Sequence, residues 1–450
     1  MAYQEVTTTG YGTRVGNSFR GIGTGIILFI AATALLWWNE GRAVKTDKML
    51  NEAEKVCVDM ENPSKIDPSL DGELVCATAM ATTNDSLSDP QFALGAKAIS
   101  LQRTVEYFQW VEHASSQSED KFGGKEVTIT TFSHSKEWVS SPIDSESFRD
   151  STFKGKNKVV GNYESQAQWA ENVSFGAYKL NESLIHSIYA PEPFLLDIDT
   201  KSLEDINKTV AAAYGKPVGK KAPAAAAPVA VKDSNVVAAN DSNAVVVPDS
   251  VPQENKVDLE FVHQAGNVLF LGQSPASPQV GDVRITFQKI MPAKVTIVSQ
   301  VSGDTFKPFK AKNGKRFQTL RMGKREVDEI FESEHNANSM WTWVLRFVGV
   351  MLVIMSLKMM LGILETLLKV VPFLASIMGW GVGVVCTVIG IVWSLIIIAL
   401  AWIFYRPILG ISLLVIAGFL IWVFAFKGKD KLKEVAINAR NRANSAQATK

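Results

Sequence analysis

Hydrophobic positions crowd the two ends of this chain and thin out between them. Residues 21–38 form one apolar run and residues 341–426 are nearly continuous apolar sequence. The polar stretch between them therefore reads as a large soluble domain held by membrane at both ends. As a helix the first run, about 18 residues, rises about 27 Å, just enough for a hydrocarbon core of about 30 Å. A cleavable signal peptide is the rival reading, because Arg14 and Arg20 precede the run and Ala32 and Ala34 are small. The bulky Trp37 and Trp38 at its end suit the interface of an uncleaved helix, and the anchor reading is the stronger.

The C-terminal block divides into three predicted crossings, over 341–364, 373–404 and 408–426. The middle one is too long to cross upright, so it is expected to tilt or to bend at Gly379, Gly381 and Gly383. Arg406 and Pro407 break it from the last, since proline fixes its own φ and disfavours helix in the residue before it. Four crossings place both termini on one side. Lys427, Lys429, Lys431 and Lys433 mark that side as cytoplasmic, so residues 1–20 and the basic tail 427–450 are expected there and the soluble domain outside. Arg42, Lys45 and Lys48, just past the first helix, pull the other way.

Within the soluble region short apolar or β-branched runs at 101–110, 126–132, 283–287 and 294–301 alternate with Gly, Pro, Asn and Ser clusters, a β signature. The expected class is an α+β multi-pass membrane protein: one N-terminal and three C-terminal helices with a β-rich domain between. Residues 319–334 read as an acidic amphipathic helix leading into the second crossing, and 203–214 as another helix. The stretch 215–256 is rich in Ala, Pro, Val and Asn and buries too little to fold alone. It reads as a flexible insertion splitting the domain into 39–214 and 257–340.

Composition sharpens the function classes more than the fold. A formal net charge of +1 lacks the basic surface that nucleic acid requires. His113, His134, His186, His263 and His335 form no HExxH or paired metal spacing, and no Walker A or GxSxG pattern occurs. The glycines at 21, 23 and 25 lie in a membrane helix with no preceding strand, so they are not a nucleotide loop. Glu326, Asp328, Glu329 and Glu332 read as a solvated helix face, and Phe108 with Trp110 as the core face of a strand. No catalytic, metal or cofactor site is expected.

Of the three cysteines, Cys386 lies in a membrane helix and Cys57 and Cys76 bracket a turn-rich loop between two expected strands. A hairpin there would bring the two sulfurs together, so they are either a disulfide or two small buried thiols facing different ways. Gly21 with Gly25, and Gly379 with Gly383, have the small-xxx-small spacing of closely packed membrane helices. Arg346, Lys358, Glu365 and Lys369 are intramembrane or interfacial charges. Arg346 and Lys358 are expected to snorkel to the interfaces, the sharper alternative for Lys358 being a proton or ion site.

Six short motifs carry a family resemblance: NEGR at 39–42, LQRTVEYFQWVE at 101–112, EW at 137–138, VGDVR at 280–284, NSMWTWVLRFVG at 338–349 and FYRP at 404–407. In this order, around this membrane pattern, the chain resembles the transmembrane protein 43 family, also called LUMA. The resemblance implies a multi-pass protein with a large lumenal or extracytoplasmic domain. Its eukaryotic members reside in the endoplasmic reticulum and inner nuclear membrane, oligomerise, and act with other membrane proteins in membrane organisation, with no enzymatic chemistry. The Ala/Pro-rich stretch departs from the family and points to a microbial relative, for which a bacterial inner membrane is expected. The function read from all this is a non-enzymatic scaffold or organiser with lipid and protein partners, itself included. A channel or transporter component is the alternative, and an envelope enzyme comes third.

Overall fold

A computed structural model describes residues 3–215, 257–368, 370, 372–405 and scattered positions between 411 and 422. The first half of the chain forms β1 (Tyr3–Thr9), α1 (Tyr11–Val56), β2 (Cys57–Met60), β3 (Leu74–Thr83), β4 (Ser86–Asp89), β5 (Leu94–Lys97), β6 (Ser100–Asp120) and β7 (Glu126–Val139). It continues with β8 (Gln166–Trp169), β9 (Val173–Phe175), β10 (Tyr178–Lys179), α2 (Glu182–Ile185), β11 (Pro191–Pro193) and α3 (Thr200–Ala213). Beyond the insertion come β12 (Val257–Asp258), β13 (Val262–Ala265), β14 (Val268–Leu271), β15 (Val283–Ile290), β16 (Ala293–Ser302), β17 (Thr305–Lys307), β18 (Phe309–Lys310), β19 (Arg316–Phe317) and β20 (Thr319–Met322). The long helices α4 (Val327–Leu368) and α5 (Pro372–Tyr405) follow.

Two sheets draw strands from both sides of the insertion. In the first, β7, β6, β15, β14, β13 and β12 follow one another, with β1 on the outer edge of β7. In the second, β3 lies antiparallel to β16, with Val75 opposite Ser299 and Ala77 opposite Ile297. The continuous apolar run of β3 has a reason: both of its faces are covered. Val75 and Ala77 enter the main domain core with Val295, Ile297 and Phe306. Leu74 and Cys76 face the ends of the long helices, packing with Met49, Leu50 and Ala53 of α1 and Ile330 and Phe331 of α4. A third core sets the inner face of the first sheet, through Val105, Tyr107, Ile285 and Phe287, against Leu203 and Val210 of α3. Asp199 caps α3, accepting the Ser202 N–H at 2.9 Å.

The helices outrun their apolar segments. Three of them are long and apolar enough to cross a membrane: Tyr11–Val56, Val327–Leu367 and Gly381–Tyr405. α1 and α4 pack antiparallel along their lengths, with Ser18 against Thr366 at one end and Asn39 against Thr342 at the other. α5 joins them through Ala32, Leu36, Val353, Ile397 and Ile398. The fourth predicted crossing, over 408–426, lies largely outside the described residues, as do the basic tail, nearly all of the insertion and Lys369.

Four expectations are corrected by tertiary contacts. The segment read as one acidic helix from 319 is strand β20 through Met322, because Thr319–Met322 pairs with Val295–Val298 of β16; helix begins only at Val327. The strand expected over 52–59 is helix through Val56 and strand only from Cys57, because α1 continues while Met49, Leu50 and Ala53 have the second sheet to pack on. β2 and β3 are parallel rather than a hairpin, with Cys57 opposite Leu74 and Asp59 opposite Cys76, and both thiols are free. The core face of β6 carries Val105, Tyr107 and Gln109, while Phe108 and Trp110 are half-buried on the other face.

Candidate functional site

The six sequence motifs collapse into two constellations. One lies on the first sheet. Glu106 of β6 pairs with Arg284 of β15, Nε to carboxylate 2.8 Å, and the Arg284 guanidinium sits 4.5 Å over the Trp138 ring. Trp138 of β7 in turn packs on Phe108 at 5.1 Å and on Phe270. On the opposite, core face of β6 Arg103 donates twice to Asp89, at 2.8 and 2.7 Å, and both side chains are buried. These contacts tie strands of the domain to one another.

The second constellation sits where the apolar bundle meets the soluble domain, and it joins NEGR, NSMWTWVLR and the end of α5. Glu40 is buried at 1% exposure although it directly follows the apolar run of α1. Its carboxylate accepts Arg346 Nε at 2.6 Å and a terminal nitrogen at 2.8 Å, a two-pronged charge-assisted pair. Trp402 Nε1 of α5 donates to the same carboxylate. The Arg346 guanidinium lies between two indoles, 4.8 Å over Trp343 and 5.0 Å over Trp402, so the cation is neutralised on its edge and covered on its faces.

Around this pair the amides complete a network. Asn39 Nδ2 donates to the Thr342 carbonyl at 3.0 Å, and Asn338 Nδ2 to the Ala43 carbonyl at 3.0 Å. Arg42 donates to Asn39 Oδ1, Asn338 Oδ1 and Thr342 Oγ1. Gly41 allows a close approach of α5: a β-carbon there would sit 2.9 Å from the Tyr405 hydroxyl. Trp341 and Trp343 remain exposed at the same level, as interfacial rings do. At this level Arg346 has its countercharge in Glu40 of α1, a partner that no local sequence pattern pointed to.

The predicted packing glycines divide. Gly25 meets α4 so closely that a β-carbon would lie 2.8 Å from Met360 Cγ and 2.9 Å from the Ser356 carbonyl oxygen, while Gly21 comes within 3.8 Å of the Met359 carbonyl oxygen. Gly383 of α5 faces Lys358, whose Cε lies 3.8 Å from that virtual β-carbon; the surroundings of Gly379 lie outside the described residues. Two further close approaches went unpredicted, Gly349 against Leu36 and Gly390 against Ile354. Glu365 is half-buried on α4. A groove of about 500 Å³ lined by Phe29, Thr33, Trp37, Trp393 and Ile397 separates α1 from α5.

In the soluble domain an open cleft of about 530 Å³ lies beside His263, which is hydrogen-bonded to Asp258. Behind it Asp282 accepts from Tyr214, and burial lifts the Asp282 carboxyl above the usual carboxylate range against the opposing hydrogen bonds. Among the described residues no group of three or more His, Cys, Asp and Glu could hold a metal ion.

Fold and site together define a multi-pass α-helical membrane protein whose long helices continue into a β-rich soluble domain. The model of the family described as Transmembrane protein 43 matches residues 107–407, and the chain belongs to that family. It is 27% identical to Transmembrane protein 43 of Rattus norvegicus and of Homo sapiens, over 89% of this chain and 88% of each relative. The Transmembrane protein 43 homolog of Drosophila melanogaster is 26% identical over 87% of this chain and 90% of its own length. No solved structure matches.

Proposed function

We propose that this protein is a non-enzymatic membrane scaffold, an organiser that assembles with copies of itself and holds protein or lipid partners on an extracytoplasmic β domain. The observation that carries the reading is the Glu40–Arg346–Trp402 clamp. Glu40 is buried and Arg346 largely so, and each is spent on a neighbour within the chain. The clamp ties α1, α4 and α5 into one unit at the level where α1 and α4 run on into the sheet, so the soluble domain is carried rigidly by the membrane bundle.

The test is mild extraction into lipid nanodiscs, followed by intact-mass measurement and identification of bound lipids and proteins. A defined oligomer or a reproducible companion is expected. A monomer with no recurring companion would remove the support for an organiser.

A further inference from the structure

The tips of β6 and β7 reach the ends of α1 and α4 that lie farthest from the soluble domain. Arg14, buried at 6% exposure, pairs with Asp120 at 2.6 Å and donates to the Gly124 carbonyl at 3.1 Å. Gly123 N–H donates to the Val370 carbonyl at 3.2 Å. Arg14 lies 28 residues before Arg42 on α1, about 42 Å of helix. Asp120 lies 13 residues beyond the core residue Tyr107 on β6, about 43 Å of strand. An arm as long as the bundle therefore stands beside it, joined at both ends, with the apolar run 21–38 between the joints.

That arm is polar on one face, carries exposed Val6 and Ile129 among polar groups on the other, and is open on both edges. Ser116 pairs with Thr130 and Ser118 with Thr128 on one face, and Gln117 and Glu119 are exposed on the other. β1 adds the third strand, Tyr3 opposite Phe132 through Thr9 opposite Glu126. Among the described residues no strand pairs with the outer edge of β1 or with β6 over 111–120 beyond its bonds to β7. Hydrocarbon cannot be the neighbour of such a surface, because each unsatisfied backbone group in lipid costs several kcal/mol.

We propose that the arm is the contact between copies of this chain, the edge of β1 in one copy pairing with the outer edge of β6 in the next. β1 and β6 are both antiparallel to β7, so they run in the same direction. Copies rotated about an axis along the arm then bring β1 against β6 as a parallel pair, and repetition closes into a ring with no edge left over. Thr7, Thr8 and Gln4 on one edge meet Ser116, Gln117 and Ser118 on the other, side chains suited to cross-strand hydrogen bonds. The inference rests on the organiser reading and names the surface through which it assembles.

Cysteine pairs test it in the full chain in native membranes. Within one copy β7 separates Thr7 from Ser118 by two strand spacings, about 9.6 Å, beyond the roughly 7 Å that a disulfide bridges. Thr7→Cys combined with Ser116→Cys or with Ser118→Cys should give a ladder of covalent oligomers on oxidation, absent from each single variant and from the parent protein. An impermeant maleimide should also label Phe122→Cys and Ala276→Cys, both in exposed positions, from opposite sides of sealed membranes. Labelling of both from one side overturns the crossing arm. A defined oligomer by mass without a ladder at either pair overturns the arm contact and leaves the organiser reading standing; a monomer overturns both.

Discussion

Glu40 and Arg346 lie 306 positions apart in the chain and form a two-pronged ion pair with nitrogen–oxygen distances of 2.6 and 2.8 Å inside the helical bundle. Removing one partner leaves the other as a buried, uncompensated charge, which costs about 3–5 kcal/mol. Glu40→Ala and Arg346→Ala should each lower the thermal midpoint of the detergent-solubilised protein sharply. The double change Glu40→Leu with Arg346→Met should recover most of the loss, since apolar replacement of a whole buried pair is often neutral. A double variant as unstable as the single ones would show that the indoles and amides around the pair depend on its charges.

The glycines of α1 predict a contrast four ångströms in scale. A side chain at Gly25 meets the Ser356 carbonyl oxygen, which cannot rotate away, so Gly25→Val must push α1 from α4. Overpacking of this kind costs about 1–3 kcal/mol. Gly23 has nothing within 4 Å of its virtual β-carbon, so Gly23→Ala should fall within about 0.5 kcal/mol of the parent. Chemical unfolding in the same micelle compares the two, and equal losses would remove Gly25 from the contact.

The same helices show how far the sequence could be read. Apolar runs betray a helix in lipid because every residue around it must be apolar, so the three crossings were legible. Where the helices stop was not, because the last turns of α1 are held by Met49, Leu50 and Ala53 against a sheet formed by distant segments. β1, sequence YQEVTTT, shows no apolar alternation and is a strand only because β7 offers it an edge. The site was legible as a set of residues and illegible as an arrangement. Arg346 could be singled out as a charge in an apolar segment, but its countercharge sits on another helix, and no local pattern joins them.

Cys57 and Cys76 neighbour each other on parallel strands as free thiols. Burial pushes the Cys57 thiol up to about 12, with Cys76 and Asp59 adding to it, and burial pushes Cys76 up to about 11. Since the thiolate is the nucleophile, iodoacetamide at pH 8 should leave both unmodified in the native protein and alkylate them after unfolding. Both folded values lie above the unfolded range near 8.5. Above that range the unfolded chain ionises while the native state keeps its protons, so stability is complete below it and falls as pH rises toward 11 and 12. Rapid native alkylation at pH 8, read by mass spectrometry, would contradict the burial.

Glu112 is the residue whose protonation should loosen the base of the arm. Burial alone would raise its carboxyl; the N–H groups of Arg149 and Asp150 together with His134 outweigh that and hold it below the ordinary glutamate range. Those bonds, 2.9 Å from Arg149 and 3.1 Å from Asp150, fasten the loop after β7 to β6, while His134 stacks on Phe153 of the same loop at 3.8 Å. A depressed carboxyl contributes stability that is present above its unfolded value, near 4.3, and is lost as pH falls through the lower folded value. The thermal midpoint should therefore drop as pH falls below that unfolded value, with acid proteolysis cutting first in 144–157. Glu112→Gln should lower the midpoint at pH 7 and flatten this acid limb. A variant that keeps the parent's full acid dependence would assign that limb to other carboxylates.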